Sequence, residues 1–110
     1  MSTDWNTVLK DMLAAAQGVA KSDWPKMKEE AEGQFKVLAE VGARIASRKA
    51  LNTISETNAR FLLAQYDMAA QNVLFSVEGM TNLIVEKAYN AARAVLAAAV
   101  KAATGGWVLL

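Results

Sequence analysis

Residues 53–104, TISETNARFLLAQYDMAAQNVLFSVEGMTNLIVEKAYNAARAVLAAAVKAAT, carry an almost unbroken helical pattern over half of a chain of 110 residues. Apolar side chains recur at spacings of three and four along one face, which is typical of a helix packed on a core. A second row, spaced by seven, follows another face. A helix with apolar residues on two faces must be covered from two sides, so we expect another subunit to lie on the second row. Its members are Phe61, Met68, Phe75, Asn82, Tyr89 and Leu96.

Gly79 and Thr81 stand in the middle of this stretch and allow two architectures. In the first, one continuous or kinked helix runs for about 75 Å at 1.5 Å per residue. In the second, Gly79 ends one helix and Thr81 caps the next. A glycine inside a helix costs about 1 kcal/mol relative to alanine, which does not force a break. The apolar stripe keeps its phase across this point, from Val77 through Met80 to Ile84, which favours the continuous helix.

Two amphipathic helices precede the long stretch. The first is predicted over residues 3–21. Pro25 suits a first helical turn, so the second is predicted over residues 25–48. Residues 21–49 hold 12 charges in 29 positions, whereas residues 50–110 hold 8 in 61. This contrast indicates that the second helix is the solvated cover and that the C-terminal half is the buried part.

Polar residues mark where two of the helices begin. Residues 2–4 offer an N-cap for the first helix and, at Asp4, a negative charge that suits the positive end of the helix dipole. Thr53 and Glu56 fit a capping box at the start of the long stretch, in which each side chain bonds the backbone N–H of the other. Ser55 is the alternative N-cap.

The chain ends in an apolar tail, residues 105–110. Gly105 and Gly106 end the long helix, because glycine readily adopts the left-handed conformation that follows a helix C-terminus. Left loose, the four residues after them would form an exposed apolar patch. They either fold back over the chain's own bundle or dock on a neighbouring subunit or a protein partner. These candidate docking residues are Trp107, Val108, Leu109 and Leu110.

Two missing residue types limit the chemistry of the chain. The sequence has no Cys and no His, which excludes disulfides, thiolate chemistry and the commonest general base and transition-metal ligand. Glu29 and Glu32 have the i,i+3 spacing seen in di-iron bundles, but the histidine of that motif is missing. We predict no catalytic residue, no cofactor and no metal site, and therefore no enzyme activity. A net charge of +1 gives no reason to expect nucleic acid as a partner.

The sequence predicts neither a signal peptide nor a membrane-spanning helix. Asp4 and Asp11 break the N-terminal stretch, which therefore lacks the features of a signal peptide. The least charged segment, residues 94–110, contains Lys101 and a pair of glycines and is too broken for a spanning helix. We expect a cytoplasmic protein with no transmembrane segment, and peripheral contact with lipid stays open.

These patterns predict an all-α fold. Two amphipathic helices and one long C-terminal helix, kinked or broken at Gly79, would form a bundle that is completed by oligomerisation. A homo-oligomer, most simply a dimer, would cover the second apolar row. We expect a non-catalytic assembly or interaction module whose activity resides in its helix interface.

Two other functions fit the same pattern. One is a coat or adaptor that lays its apolar helix faces on lipid or on a polyester storage granule. A chain that is helical, rich in Ala and devoid of Cys is similar in composition to phasins, although no sequence motif accompanies the similarity. The other is a small accessory subunit of a larger complex, which would dock through residues 105–110.

Overall fold

A computed structural model describes residues 3–109. In this range the chain is helical apart from its turns and termini, and it contains no strand. The predicted all-α fold class is confirmed. A short 3₁₀ turn, Lys21–Asp23, joins the first two helices. The helices are α1 (Trp5–Ala20), α2 (Trp24–Ala50), α3 (Glu56–Phe75) and α4 (Asn82–Ala103).

α1 and α2 lie close to the predicted ranges, 3–21 and 25–48. Asp4 is the N-cap of α1, and its carboxylate accepts hydrogen bonds from two backbone N–H groups of the first turn. Trp24 begins α2, one residue before the predicted start. Pro25 lies in the first turn of α2, where its missing N–H leaves no helical hydrogen bond unmade.

The start of α3 differs from the predicted capping box. The hydroxyl of Thr53 donates to the carbonyl of Arg48 at 3.2 Å and so closes the end of α2. Ser55 is the N-cap of α3, and its hydroxyl oxygen accepts from the backbone N–H of Asn58 at 3.1 Å. The alternative cap is therefore the correct one, and α3 begins at Glu56 instead of at Thr53.

Residues 76–81 interrupt the helix predicted over 53–104. Gly79 has a φ of 80°, in the left-handed region that an α-helix does not use. Its carbonyl accepts from Nζ of Lys26 in α2 at 3.0 Å, which holds the turn against the bundle. Thr81 then caps α4 by accepting from a backbone N–H three residues further on. Of the two predicted architectures, the one broken at Gly79 and restarted at Thr81 is correct.

The break reverses the direction of the chain, so that α3 and α4 form an antiparallel hairpin. Phe75 at the end of α3 lies beside Val85 near the start of α4. At the other end, Glu56 at the start of α3 accepts a hydrogen bond from the backbone of Val108, beyond the end of α4. Residues that share one face of a continuous helix are consequently distributed over two helices that face each other.

α2 and α4 form the middle of the bundle, because each packs against the other three helices, whereas α1 and α3 do not meet within residues 3–109. At Gly42, side chains of α1 and α4 come close to the backbone of α2. A Cβ atom added there would lie 2.8 Å from the ring of Trp5 and 3.1 Å from Leu96. The largest fully buried side chains of the core include Met12, Met27, Phe35, Leu38, Ile45, Leu63, Leu74 and Leu96.

The roles predicted for α2 and for the C-terminal half require correction. α2 buries nine of its 27 residues, whereas α3 buries only four of its 20. α2 is therefore not a cover, and α3 is not the buried part. The charges of α2 are confined to one side of the helix, which leaves its other side apolar enough to form the centre of the core.

Candidate functional site

Three large apolar side chains lie exposed in a row along α3. Phe61 and Met68 are 66% and 67% exposed, and Phe75 is 39% exposed. Residues seven apart lie on nearly the same side of a helix with 3.6 residues per turn, so the row is about 20 Å long. Two of the fully buried residues of α3, Ala59 and Ala70, lie on the opposite side. The row therefore points away from the core.

One exposed residue beside this row, Arg60, carries a charge, and it is paired with Glu56. The other exposed neighbours have side chains that end in amide, hydroxyl or methyl groups. We call the row and these neighbours the α3 outer face. It consists of Thr57, Asn58, Phe61, Ala64, Gln65, Met68, Ala69, Asn72 and Phe75.

The three charged residues of α3 all bond to groups of their own chain. Asp67 is paired with Arg93 of α4, whose Nε donates to the two carboxylate oxygens at 2.8 and 3.0 Å. The hydroxyl of Tyr89 donates to the same carboxylate. Glu56 and Arg60 form an i,i+4 pair at 3.2 Å. The outer face is uncharged because the charges of α3 are turned towards α4 and the tail.

The group formed by Asp67, Tyr89 and Arg93 is mostly shielded from water. The side chains of Arg93 and Asp67 are 13% and 18% exposed, and Tyr89 is 2% exposed. Burial raises the pKa of Tyr89, and the hydrogen bond to Asp67 raises it further, because both favour the neutral hydroxyl. With the tyrosine held neutral and the two charges compensating each other, these groups act as a structural link between α3 and α4.

The tail folds back over its own chain. Nε of Arg60 donates to the carbonyl of Val108 at 3.1 Å, and Nη2 of Arg93 donates to the carbonyl of Leu109 at 2.8 Å. The Leu109 side chain is 1% exposed, and Nζ of Lys49 lies 5.8 Å from the centroid of the Trp107 ring. The fold-back alternative thus describes residues 107–109, while Leu110 lies outside the described residues.

A groove runs between α3 and α4 beside the outer face. It consists of two adjoining cavities of about 330 and 260 Å³, which share Gln71, Tyr89 and Asn90 in their walls. Its charged wall residues include Asp67 and Arg93, which already bond each other. Throughout residues 3–109, no three acidic side chains come together as a metal site would need.

The predicted seven-spaced row is divided between two environments. Phe61, Met68 and Phe75 lie on the α3 outer face, and Asn82 is exposed at the first turn of α4. Tyr89 and Leu96 are 2% and 0% exposed and belong to the chain's own core. The reversal of the chain at residues 76–81 causes this division, because α4 turns that face towards the bundle. The exposed members remain candidates for an interface.

The sequence does not single out the pair of Asp67 and Arg93, although it links α3, α4 and the tail. The two residues are 26 positions apart, and nothing in a helical pattern connects them. Asp67 does stand out as the only acidic residue between Glu56 and Glu78. A lone charge on an apolar helix is the kind of signal that could have prompted a search for a buried partner.

No helix among the described residues is both long and apolar enough to cross a membrane. No protein family, no curated protein and no solved structure matches the chain.

Proposed function

We propose that the protein is a non-catalytic assembly module that forms a homo-oligomer, most simply a dimer, through the α3 outer face. One observation carries this proposal: three large apolar side chains stand in a row on the side of α3 opposite the core, and Arg60, the one charged residue exposed beside them, is paired with Glu56. Isolated apolar side chains on a surface are ordinary, whereas several large ones in line on one side of a helix favour an interaction site.

The size of the patch suggests a contact of moderate affinity. An aromatic side chain buries about 150–250 Å² in an interior, so the exposed parts of the row amount to on the order of 300 Å². Pairing two such rows would remove about 600 Å² of apolar surface from water, worth roughly 15 kcal/mol. Association costs about 4–15 kcal/mol in lost freedom. At the upper end of that cost nothing is left, and about 600 Å² lies below the roughly 1,000 Å² expected of a stable interface, so we expect a dimer of at most moderate affinity that dissociates on dilution.

A second copy of the chain suits this face better than a lipid surface does. Helices that lie on membranes are usually rich in Lys and Arg on their polar face, which attract anionic lipids. The only basic residue of α3 is Arg60, and it is engaged by Glu56 and by the carbonyl of Val108. An uncharged face also meets no like-charge repulsion when it is placed against its own copy.

Sedimentation of the full chain from low micromolar to millimolar concentration tests the proposal. We expect a reversible monomer–dimer equilibrium. Met68→Lys should raise its dissociation constant by about 100-fold or more, because an unpaired ammonium would be buried in the contact. Val37→Lys is the matched control, since Val37 is 39% exposed on α2, and it should leave the equilibrium unchanged.

Two results would contradict the proposal. A protein that remains monomeric at every concentration has no assembly function of this kind. If the monomeric protein instead sediments with phospholipid vesicles, and Met68→Lys abolishes that binding, the α3 outer face serves the coat or adaptor function. Thermal unfolding of both lysine variants at low concentration confirms that they remain folded.

A further inference from the structure

Part of α3, residues 61–75, is partly palindromic about Met68. The segment reads FLLAQYDMAAQNVLF, and three of its seven letter pairs, the first, second and fifth from either end, are identical. On the outer face, Phe61 and Phe75 stand seven residues to either side of Met68, which is about 10 Å along the helix axis. The exposed row is therefore symmetric about its own centre in spacing and in residue type.

A symmetric row can pair with its copy around a two-fold axis. Closed dimers have self-complementary interfaces, in which a residue contacts its symmetry mate or two residues contact each other reciprocally. Resting on the proposed assembly function, we propose that the dimer pairs two α3 helices antiparallel, with the two-fold axis at Met68. Phe61 of one chain then lies against the partner's Phe75, and the two copies of Met68 meet.

The unequal exposure of the two rings favours the antiparallel arrangement. Phe61 is 66% exposed and Phe75 is 39% exposed, so Phe61 projects further from the surface. Antiparallel pairing sets a projecting ring against a recessed ring at each end, and the two helices stay evenly spaced. Parallel pairing would place the two projecting rings together and the two recessed rings together, which would splay the helices at one end.

The helix dipole acts in the same direction. Antiparallel pairing sets the positive N-terminal end of each helix beside the negative C-terminal end of the other, whereas parallel pairing sets like ends together.

Cysteine cross-linking distinguishes the two arrangements, because the natural chain contains no Cys. Ala64 and Asn72 are exposed on the outer face, four residues to either side of Met68. In an antiparallel dimer, Ala64→Cys on one chain lies level with Asn72→Cys on the other. When both chains carry the same variant, their two cysteines are about 12 Å apart along the helix axis. Each full-length variant would be treated with a short bis-maleimide, alone and in an equimolar mixture.

The mixture should give about tenfold more cross-linked dimer than either variant alone, because pairing raises the effective concentration of the two thiols. Met68→Cys should cross-link to itself in either orientation and so reports the contact, and Val37→Cys should give no cross-link. Efficient linking of Ala64→Cys to itself would show a parallel dimer, which overturns this inference and leaves the assembly function intact. No linking of Met68→Cys by a protein that sediments as a monomer overturns both.

Discussion

α2 and α3 lie side by side in the bundle and expose opposite kinds of surface. α2 buries large side chains such as Phe35 and Ile45 and presents mainly Lys, Glu and Arg to water. α3 buries two alanines and two leucines and presents Phe61, Met68 and Phe75. In α2 apolar groups face the core and charges face water. In α3 large apolar groups face water, and its charged residues bond α4 and the tail.

This difference indicates that polar bonds contribute more to the attachment of α3 than to that of α2. α2 is anchored by its apolar face, at the centre of a core shared with the other helices. α3 contributes fewer large side chains to that core, Leu63 and Leu74 among them, and it is also bonded to α4 through Asp67, Tyr89 and Arg93. A helix that is held partly by polar bonds can leave other large apolar residues free to contact another molecule.

The largest difference in stability is expected between two separate variants that carry the same Phe→Ala substitution, one on α2 and the other on α3. Phe35→Ala removes a side chain of α2 that is 0% exposed and should reduce the free energy of unfolding by about 3–5 kcal/mol. Phe61→Ala removes a ring that is 66% exposed and should change it by less than about 0.5 kcal/mol. Urea unfolding at low micromolar concentration measures both values on the monomer. Similar losses for both variants would show that the α3 outer face belongs to the core.

The polar link between α3 and α4 gives the next largest effect. Asp67→Ala leaves Arg93, which is 13% exposed, without its carboxylate. Removing one partner of a buried pair costs 3–5 kcal/mol, and the residual exposure of this pair reduces our estimate to about 3 kcal/mol. Glu40→Ala, on the exposed face of α2, is the control and should cost less than about 0.5 kcal/mol. An equal loss for the two variants would mean that the link does not hold α3.

Local signals in the sequence predict much of this fold. The positions of α1 and α2, the N-cap at Asp4 and the restart of the helix at Thr81 all follow from residues within one turn of each feature. At Gly79 the sequence does not decide whether the helix continues or ends. The apolar pattern on either side is the same for a glycine inside a helix and for a glycine in a left-handed turn. Its φ of 80° occurs together with a tertiary contact, the bond from Lys26 to its carbonyl, which no local pattern reveals.

The candidate site was predicted only in part, for a related reason. Phe61, Met68 and Phe75 are exposed on one helix face, but the chain reversal at residues 76–81 removes Tyr89 from the same surface. The number of charges per residue gave a wrong prediction of which segment is buried, because it does not show on which side of a helix the charges lie. The many charges of α2 share one side and permit a buried opposite side, whereas the few charges of α3 point towards its neighbours.

The hydroxyl of Tyr89 should contribute about 2 kcal/mol, as a buried hydrogen bond to a charged group does. Because its pKa is raised in the folded state, this contribution is fully present below the ordinary tyrosine pKa of about 10. It is lost at higher pH, as the tyrosine of the unfolded chain ionises, at about 1.4 kcal/mol per pH unit. Urea unfolding of wild type and Tyr89→Phe should therefore differ at pH 8 and converge above pH 10. A constant difference would show that the folded environment does not disfavour the phenolate.

Two glycines provide the smallest test of the contrast between α2 and α3. Gly33 lies on the exposed face of α2 with nothing within 4 Å of an added Cβ, so Gly33→Ala should stabilise the protein by about 1 kcal/mol. At Gly79 an added Cβ would touch only the Lys26 side chain, at 3.5 Å, so an alanine there would cause no steric clash. Its φ of 80° nevertheless makes Gly79→Ala unfavourable by about 1 kcal/mol.

The two alanine variants should therefore shift the urea midpoint in opposite directions from wild type. The added methyl group is the same in both, and only the backbone conformation differs. Stabilisation by Gly79→Ala would mean that the chain can continue as a helix through residues 76–81. α3 and α4 would then no longer be an antiparallel hairpin, Tyr89 would rejoin the row that begins at Phe61, and the exposed face of α3 would no longer be set by the reversal of the chain.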